Sequence, residues 1–278
     1  MAETVGLIAG SGRFPILFAE EARRMGTPVA AVALSGVTDA SLGSLVSKME
    51  TFKLGQVSAP LKFFKEAGVR KAVMAGKVQH ASLFGGVMPD LRAVKILASL
   101  KDRRTDTILS AVADEFAKEG IELLSSATFL SHLIAREGTL TKRAPSASER
   151  ADLELGWRAA KALAGFDIGQ SVAVADGAVV AVEAMEGTDA MLLRAADIAR
   201  ANGAAPSLAL VKVAKPRQDF RFDLPVVGLE TLATLEKAKA RSLALEADAT
   251  LIFDKDAFLA KADAMGLAVV AMKEAPRA

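Results

Sequence analysis

Short apolar runs alternate with amphipathic stretches through the first half of the chain. Thr4 to Ala9 is apolar and ends in Gly10-Ser11-Gly12, after which Phe14, Leu17, Phe18 and Ala22 recur at helical spacing. The pattern predicts a strand, a tight turn and a helix. Met25-Gly26-Thr27-Pro28 punctuates, and Val29 to Leu34 supplies a second strand after a crossover long enough for parallel pairing. The same alternation predicts a helix over Leu61 to Ala67, a strand over Lys71 to Val78, helices over Asp90 to Leu100 and Asp106 to Lys118, and a strand over Ile121 to Leu124. Alternation of this kind builds an α/β domain, a parallel sheet with helices on both faces.

The rhythm breaks near Glu137-Gly138-Thr139, and Thr141 to Ser146 is polar and unsuited to a helix. A boundary is expected there, with domains over 1–138 and 139–278. A helix then opens at Ser148 and runs through Trp157 to about Leu163. Ser171 to Ala175, Asp176-Gly177 and Ala178 to Ala184 form the strongest hairpin signal in the chain, because Asp-Gly tolerates the positive φ of a type I′ turn. The remainder reads as helix (Asp189 to Ala201), strand (Ser207 to Ala214), a polar loop, helix (Leu229 to Ala240), strand (Thr250 to Phe253), helix (Asp256 to Met265) and strand (Leu267 to Met272). The second domain is therefore a mixed α/β construction containing a β-hairpin.

Composition narrows the chemistry. Length of 278 residues suits two domains of ordinary size. Lys and Arg exceed Asp and Glu by 35 to 33, too even a balance for a protein built to grip a nucleic-acid backbone, so no nucleic-acid partner is expected. Cysteine is absent, which excludes disulfides, thiolate metal sites and cysteine nucleophiles; two histidines, His80 and His132, are too few for a histidine-rich zinc site and read as structural residues, His132 on a helix between Leu130 and Leu133. Hydrophobic content is 51%, yet the longest uncharged run, Met25 to Thr38, is 14 residues, short of the roughly 20 a membrane-crossing helix needs. An acid at Glu3 and no basic leader make the start read as part of the fold, and a cytoplasmic protein is expected.

Several segments carry candidate chemistry. Gly10-Ser11-Gly12-Arg13 lies between the first strand and helix, where backbone N–H groups can cradle phosphate. Pro15 replaces the third glycine of a dinucleotide fingerprint, and the second strand ends Ala33-Leu34-Ser35-Gly36 without the acid that would hold a ribose, so NAD is disfavoured. Gly76-Lys77 closes a strand at the carboxyl edge, where a lysine can neutralise phosphate; Lys101, Arg103 and Arg104 read as a solvated loop. Glu183 interrupts an apolar run, and a buried carboxylate must find a cation, a metal or several donors. Glu186, Gly187, Thr188 and Asp189 follow at a helix start, with capping as the plainer role for Asp189. In Asp219-Phe220-Arg221-Phe222-Asp223-Leu224, polar and apolar residues alternate. If the segment is extended, two carboxylates flank one guanidinium on one face and Phe220, Phe222 and Leu224 go to the core. Such a set suits a hard divalent cation together with phosphate. Acid-bearing loops in one domain and a phosphate-type turn in the other suggest a site in a cleft between domains.

In Gly6 to Pro15, Ala75 to Val78, Asp167 to Val172, Val182 to Asp189 and Lys215 to Pro225 the chain resembles the LpxI-type UDP-2,3-diacylglucosamine pyrophosphatases of lipid A biosynthesis, in family order across essentially the whole length. The resemblance implies a Rossmann-like N-terminal domain, a family-specific C-terminal domain, and Mg²⁺-dependent attack of water on the β-phosphorus of a glycolipid nucleotide. It assigns Asp223, Asp219 and Arg221 to catalysis, and Asp223, Asp219, Glu183, Glu186 and Asp189 to the metal. Gly10, Ser11, Gly12, Arg13, Gly76, Lys77, Gln170, Gly187, Thr188 and Lys215 would hold substrate. An acyl pocket is expected from Phe84, Val87, Met88 and Leu91, and from a helix carrying Phe129, Leu130, Leu133 and Ile134. Transient contact with the cytoplasmic leaflet of the inner membrane follows from the acylated substrate. The competing reading is a module that binds a nucleotide sugar or glycolipid without turning it over.

Overall fold

A computed structural model describes residues 2–78, 89–102, 105–201, 207–216 and 218–273. The chain forms two compact units: residues 1–131 with 219–223, and residues 132–218 with 224–278. The first unit takes in a pentapeptide from far along the chain.

In the first unit, β1 (Val5–Ala9), β2 (Val29–Leu34), β3 (Lys48–Phe52), β4 (Lys71–Ala75) and β5 (Glu122–Leu123) form one parallel sheet in the order β3-β2-β1-β4-β5. The order reverses between β1 and β4, and open parallel sheets place ligands at the carboxyl edge of such a reversal. The α1 helix (Arg13–Arg24) follows β1; Pro15 fits its first turn, and Phe14, Leu17, Phe18 and Ala22 are buried as their spacing predicts. The helices α2 (Ser58–Glu66), α3 (Leu91–Ser99) and α4 (Thr105–Lys118) complete the unit. Phe64 is fully buried between Phe63 and Phe116, each ring about 6 Å away at an angle. The β3 strand has no counterpart in the sequence reading: Lys48-Met49-Glu50-Thr51-Phe52 sits at the sheet edge with most of its side chains in water, so it carries no apolar run to announce it.

In the second unit, β6 (Gly138–Thr139), β7 (Ser171–Ala175), β8 (Ala178–Val182), β9 (Leu208–Lys212), β11 (Ala240–Glu246) and β13 (Ala268–Met272) form a mixed sheet in the order β6-β13-β11-β9-β7-β8; β10 (Val226–Val227) and β12 (Leu251–Ile252) pair separately. The α5 helix (Ala147–Gly165) packs Leu153, Trp157, Ala160 and Ala164 on one face, against Val172, Val174 and Val211. The helices α6 (Thr188–Ala201), α7 (Leu229–Lys237) and α8 (Lys255–Ala264) enclose the larger core on the other face through Met191, Leu192, Leu232, Leu235 and Phe258. Asp176 and Gly177 have φ of 49° and 75°, the turn that the hairpin sequence predicts.

Three expectations are corrected. The α5 helix starts one residue earlier than Ser148, capped by Ser146 in a reciprocal box with Glu149. The helix expected to reach Ala240 stops at Lys237, and Ala240–Glu246 is a central strand, paired in parallel with β9 and β13. The segment around Leu130 and Leu133 is a three-residue 3₁₀ turn, Ser131–Leu133, entered through Phe129 at φ 67°.

One carboxylate ties two helices of the first unit. Asp90 Oδ1 accepts from Ala93 N at 2.8 Å as the cap of α3, while Oδ2 accepts from Val57 N at 2.9 Å and Ser58 N at 2.7 Å at the head of α2. Burial alone would raise its pKa; the three backbone donors outweigh that and hold it below the ordinary aspartate range. Because the folded-state value is the lower one, the stabilisation is present above the unfolded pKa and is lost as pH falls through the folded one. Asp90→Ala is expected to cost about 1–2 kcal/mol at neutral pH. The gap in urea midpoint between mutant and wild type is expected to close below about pH 4.

Candidate functional site

At the carboxyl edge of the first sheet, the turn after β1 and the end of β4 are joined main chain to main chain. Gly10 N donates to Ala75 O at 2.8 Å, Ser11 N to Lys77 O at 2.8 Å, and Lys77 N returns to Ser11 O at 3.0 Å. The Ser11 hydroxyl also donates to Lys77 O, at 2.9 Å. A Cβ on Gly10 would lie 2.8 Å from Gly76 C, and one on Gly76, whose φ is 97°, would lie 2.7 Å from Ser11 O. The glycines are thus required first for this close approach. Gly12, at φ 89°, caps α1 without a side-chain hydrogen bond, and Lys77 is exposed beside it in the same bridged turn. Arg13 lies along its own helix, with its guanidinium 2.9–3.0 Å from Glu20.

The pentapeptide 219–223 belongs to this unit. It is a turn and not the extended strand its alternation suggests: Phe222 N and Asp223 N both donate to Asp219 O, at 3.0 and 3.2 Å. The physical reason is local. Asp219 accepts from Arg221 N at 3.0 Å and, through both oxygens, from the Arg221 guanidinium at 2.7–3.2 Å, and an aspartate bonded to main chain two residues on folds the chain over itself. Phe220 is consequently exposed, while Phe222 packs on the core of the unit and lies 4.9 Å below the Arg221 guanidinium. Hydrogen bonding from Arg221 holds Asp219 below the usual carboxylate range, and the same bonds raise Arg221. Arg221 also borders a cleft of about 470 Å³ with Asp114 and Glu122. A larger open cleft, about 1160 Å³, lies at the amino ends of the strands between Thr4, Arg23, Val29 and Arg70, the opposite edge from the glycine turn.

Among the other assigned residues, the second unit gathers Gln170, Glu183, Thr188 and Lys215 at the carboxyl end of β9. Glu183, only 8% exposed, accepts from Gln170 N at 3.2 Å and from the Thr188 hydroxyl at 2.9 Å. Thr188 in turn accepts from Lys212 Nζ at 2.8 Å and lies 3.1 Å from the Ser171 hydroxyl. A hydroxyl that gives its one proton to a carboxylate and accepts from two neighbours has no capacity left. Lys212 is itself 8% exposed and was missed from sequence, although a lysine closing the apolar run Leu208-Ala209-Leu210-Val211 carries the signal that singled out Glu183. Lys215 pairs with Asp167 at 2.5 Å. Glu186 is held by Arg194 at 2.6 Å, which keeps its pKa low, and Asp189 is exposed in the first turn of α6 just after Gly187.

Among the described residues no three carboxylates or histidines come together to hold a metal. Asp219 and Asp223 lie in the first unit and Glu183, Glu186 and Asp189 in the second. Of the acyl-pocket candidates, Leu130 and Leu133 are buried and Leu91 is 83% exposed; Phe84, Val87 and Met88, with His80, lie outside the described residues, as do Arg103, Arg104 and Arg217.

The buried Lys212–Thr188–Glu183 chain yields a stability test. Removing one charge strands the other, so Lys212→Met is expected to destabilise by about 3–5 kcal/mol, and adding Glu183→Gln should recover much of that loss in urea unfolding. Strictly additive losses would show that the two charges do not compensate each other.

Residues 4–133 match the family model for the LpxI N-terminal domain and residues 136–270 that for the LpxI C-terminal domain. UDP-2,3-diacylglucosamine pyrophosphatase LpxI of Caulobacter vibrioides (strain ATCC 19089 / CIP 103742 / CB 15) is 34% identical over 272 residues, 96% of each chain. Among solved structures, the biotin carboxylase subunit of pyruvate carboxylase overlaps with a TM-score of 0.26 and 14% identity over 76% of this chain, which spans 44% of that one. The biotin carboxylase domain of the Hydrogenobacter thermophilus 2-oxoglutarate carboxylase overlaps at 0.26 and 13%, with the same coverage. Overlaps that loose carry no argument about fold or function. The two domain models in sequence, and identity sustained over nearly the whole of a relative, show that the chain belongs to the LpxI family.

Proposed function

We propose that the protein hydrolyses the pyrophosphate of UDP-2,3-diacylglucosamine to UMP and 2,3-diacylglucosamine 1-phosphate, a step of lipid A biosynthesis. The observation that carries this is the 34% identity along 96% of both chains to a protein named for that activity. In the reaction the oxygen of water bonds to the β-phosphorus, the bond from that phosphorus to the bridging oxygen breaks, and UMP leaves with the bridging oxygen. Such chemistry asks the protein to position water and to hold negative charge, with little covalent participation.

Asp223, at the end of the turn that Asp219 and Arg221 close, is proposed to orient the water and take its proton. Asp219 and Arg221 then shape the turn. The head of α1 at Gly12, with Lys77, is proposed for phosphate, and Gln170, Gly187 and Lys215 for the nucleotide. Thr188 is proposed to support that second group through Glu183, its hydroxyl being bonded to Glu183 and Lys212.

Hard oxygen donors suit Mg²⁺, which is commonly bound by one or two carboxylates plus substrate phosphates. Asp223 would hold it, and the ion would neutralise charge building on the pyrophosphate. Glu183 and Glu186 are already committed to Thr188, Gln170 and Arg194. Asp189 lies in the first turn of α6, where a negative charge suits the amino end of the helix.

No helix among the described residues is long and apolar enough to cross a membrane. The α3 helix nevertheless exposes Leu91, Val94 and Leu97 at helical spacing, which supports transient contact with the cytoplasmic leaflet where an acylated substrate would be met.

Purified protein given UDP-2,3-diacylglucosamine and Mg²⁺ is expected to release UMP, and EDTA to abolish the release. Hydrolysis in ¹⁸O-water should label the phosphate of the lipid product and leave UMP unlabelled. Asp223→Ala is expected to lose about 10²–10⁴-fold in kcat while still binding substrate; wild-type turnover in that variant would remove Asp223 from the mechanism. In flotation with anionic vesicles, a fraction of the protein should rise when substrate is present, and no association under either condition would remove the membrane contact.

A further inference from the structure

We propose that Ser126 is a positioning residue, a clamp that seats the 219–223 turn on the carboxyl edge of the first sheet and thereby sets Asp223. Hydrogen-bond partners are exchanged at this edge. Beside β4, the chain of β5 follows the parallel ladder in steps of two: Glu122 N donates to Arg70 O at 2.8 Å and Leu124 N to Ala72 O at 2.8 Å. The next step would take Ser126 N to Met74 O. Instead, Ser126 N donates to Phe220 O at 2.7 Å, and the Ser126 hydroxyl takes the vacated place, 2.7 Å from Met74 O. The same hydroxyl lies 3.0 Å from Arg221 O.

A side chain thus substitutes for a main-chain donor so that the main chain can hold a distant segment. Ser126 is fully buried, and Met74 lies in the strand that ends at Gly76-Lys77, so this one residue links the strand of the glycine turn to the acidic turn within a single unit. Within the turn, Arg221 and Asp219 fix the shape, and Phe222 anchors it to the core. Ser126 fixes its place on the sheet. Without the hydroxyl, Met74 O would be left buried and unpaired unless Ser126 N returned to the regular ladder, and that return would release Phe220 O and shift the turn.

The kinetic arm of the test rests on the proposed hydrolysis; the exchange arm does not. In amide hydrogen exchange without substrate, Ser126→Ala is expected to raise exchange at Phe222 and Asp223 while β1 and β4 stay protected, and Ser126→Thr, which keeps the hydroxyl, should restore protection. In steady-state kinetics Ser126→Ala should lower kcat about 10- to 100-fold with KM within about threefold, since a displaced catalytic group costs rate more than binding. In an Asp223→Ala background the same change should cost almost nothing. Unchanged exchange at 222–223 in Ser126→Ala overturns the clamp, as does an equal kinetic loss with and without Asp223. An Asp223→Ala enzyme with full activity overturns the assignment of Asp223 instead, and the exchange result still judges the clamp. If Ser126→Ala does not fold, Ser126→Thr and Ser126→Cys decide: a larger hydroxyl side chain must outperform the thiol in both protection and kcat.

Discussion

Main-chain hydrogen bonding at the carboxyl edge of the first sheet governs what the rest of that unit can do. A parallel strand offers donors and acceptors on both sides, and β5 is only two residues long, so the outer side of β4 needs other partners almost at once. Loops serve both sides of β4 at this edge. On one side the glycine turn bridges Gly10 and Ser11 to Ala75 and Lys77; on the other Ser126 covers Met74 and carries the 219–223 turn. Two loops well separated in sequence are held at the same edge by backbone groups that would otherwise be buried without partners.

The second unit meets a different constraint, the cost of burying charge. Lys212 and Glu183 close strands at the same sheet end with little exposure; Thr188 links the two, with Ser171 beside it, and Gln170 N donates to the carboxylate. The head of α6 is fixed by that network, since Thr188 is its first residue. Nearby, Lys161 and Glu246 pair at 2.9 Å while Glu246 also accepts from Ala214 N at 2.7 Å. Glu183 and Glu246 each accept from main chain beside a strand, Gln170 N and Ala214 N, which ties the loops there to the sheet.

The two constraints divide the acids into classes. Asp90, Asp219, Glu183 and Glu186 hold structure, each occupied by backbone N–H groups, a hydroxyl or an arginine. This sorting could not be read from residue type, because a scaffold aspartate and a reactive one are chemically identical until their donors are known. It narrows a chemistry that, in a chain without cysteine, must rest on hard oxygen ligands and cations.

By itself the sequence determined the elements whose signals are local. The β1–α1–β2 unit follows from apolar runs and helical spacing, the β7–β8 hairpin from Asp176-Gly177, and the start of α6 from Gly187-Thr188. The tertiary structure decided what depends on neighbours. Ala240–Glu246 is rich in Ala and Leu and holds no β-branched residue, so its composition favours helix, yet pairing with β9 and β13 on both sides makes it the middle of a sheet. Gly138–Thr139 and Val226–Val227 are strands only because a partner lies beside them. The Asp219–Asp223 segment shows the division most plainly: its composition marked it as chemically important, but its shape came from an aspartate folding back on Arg221, and its place from a serine nearly a hundred residues earlier whose main chain had a donor to give.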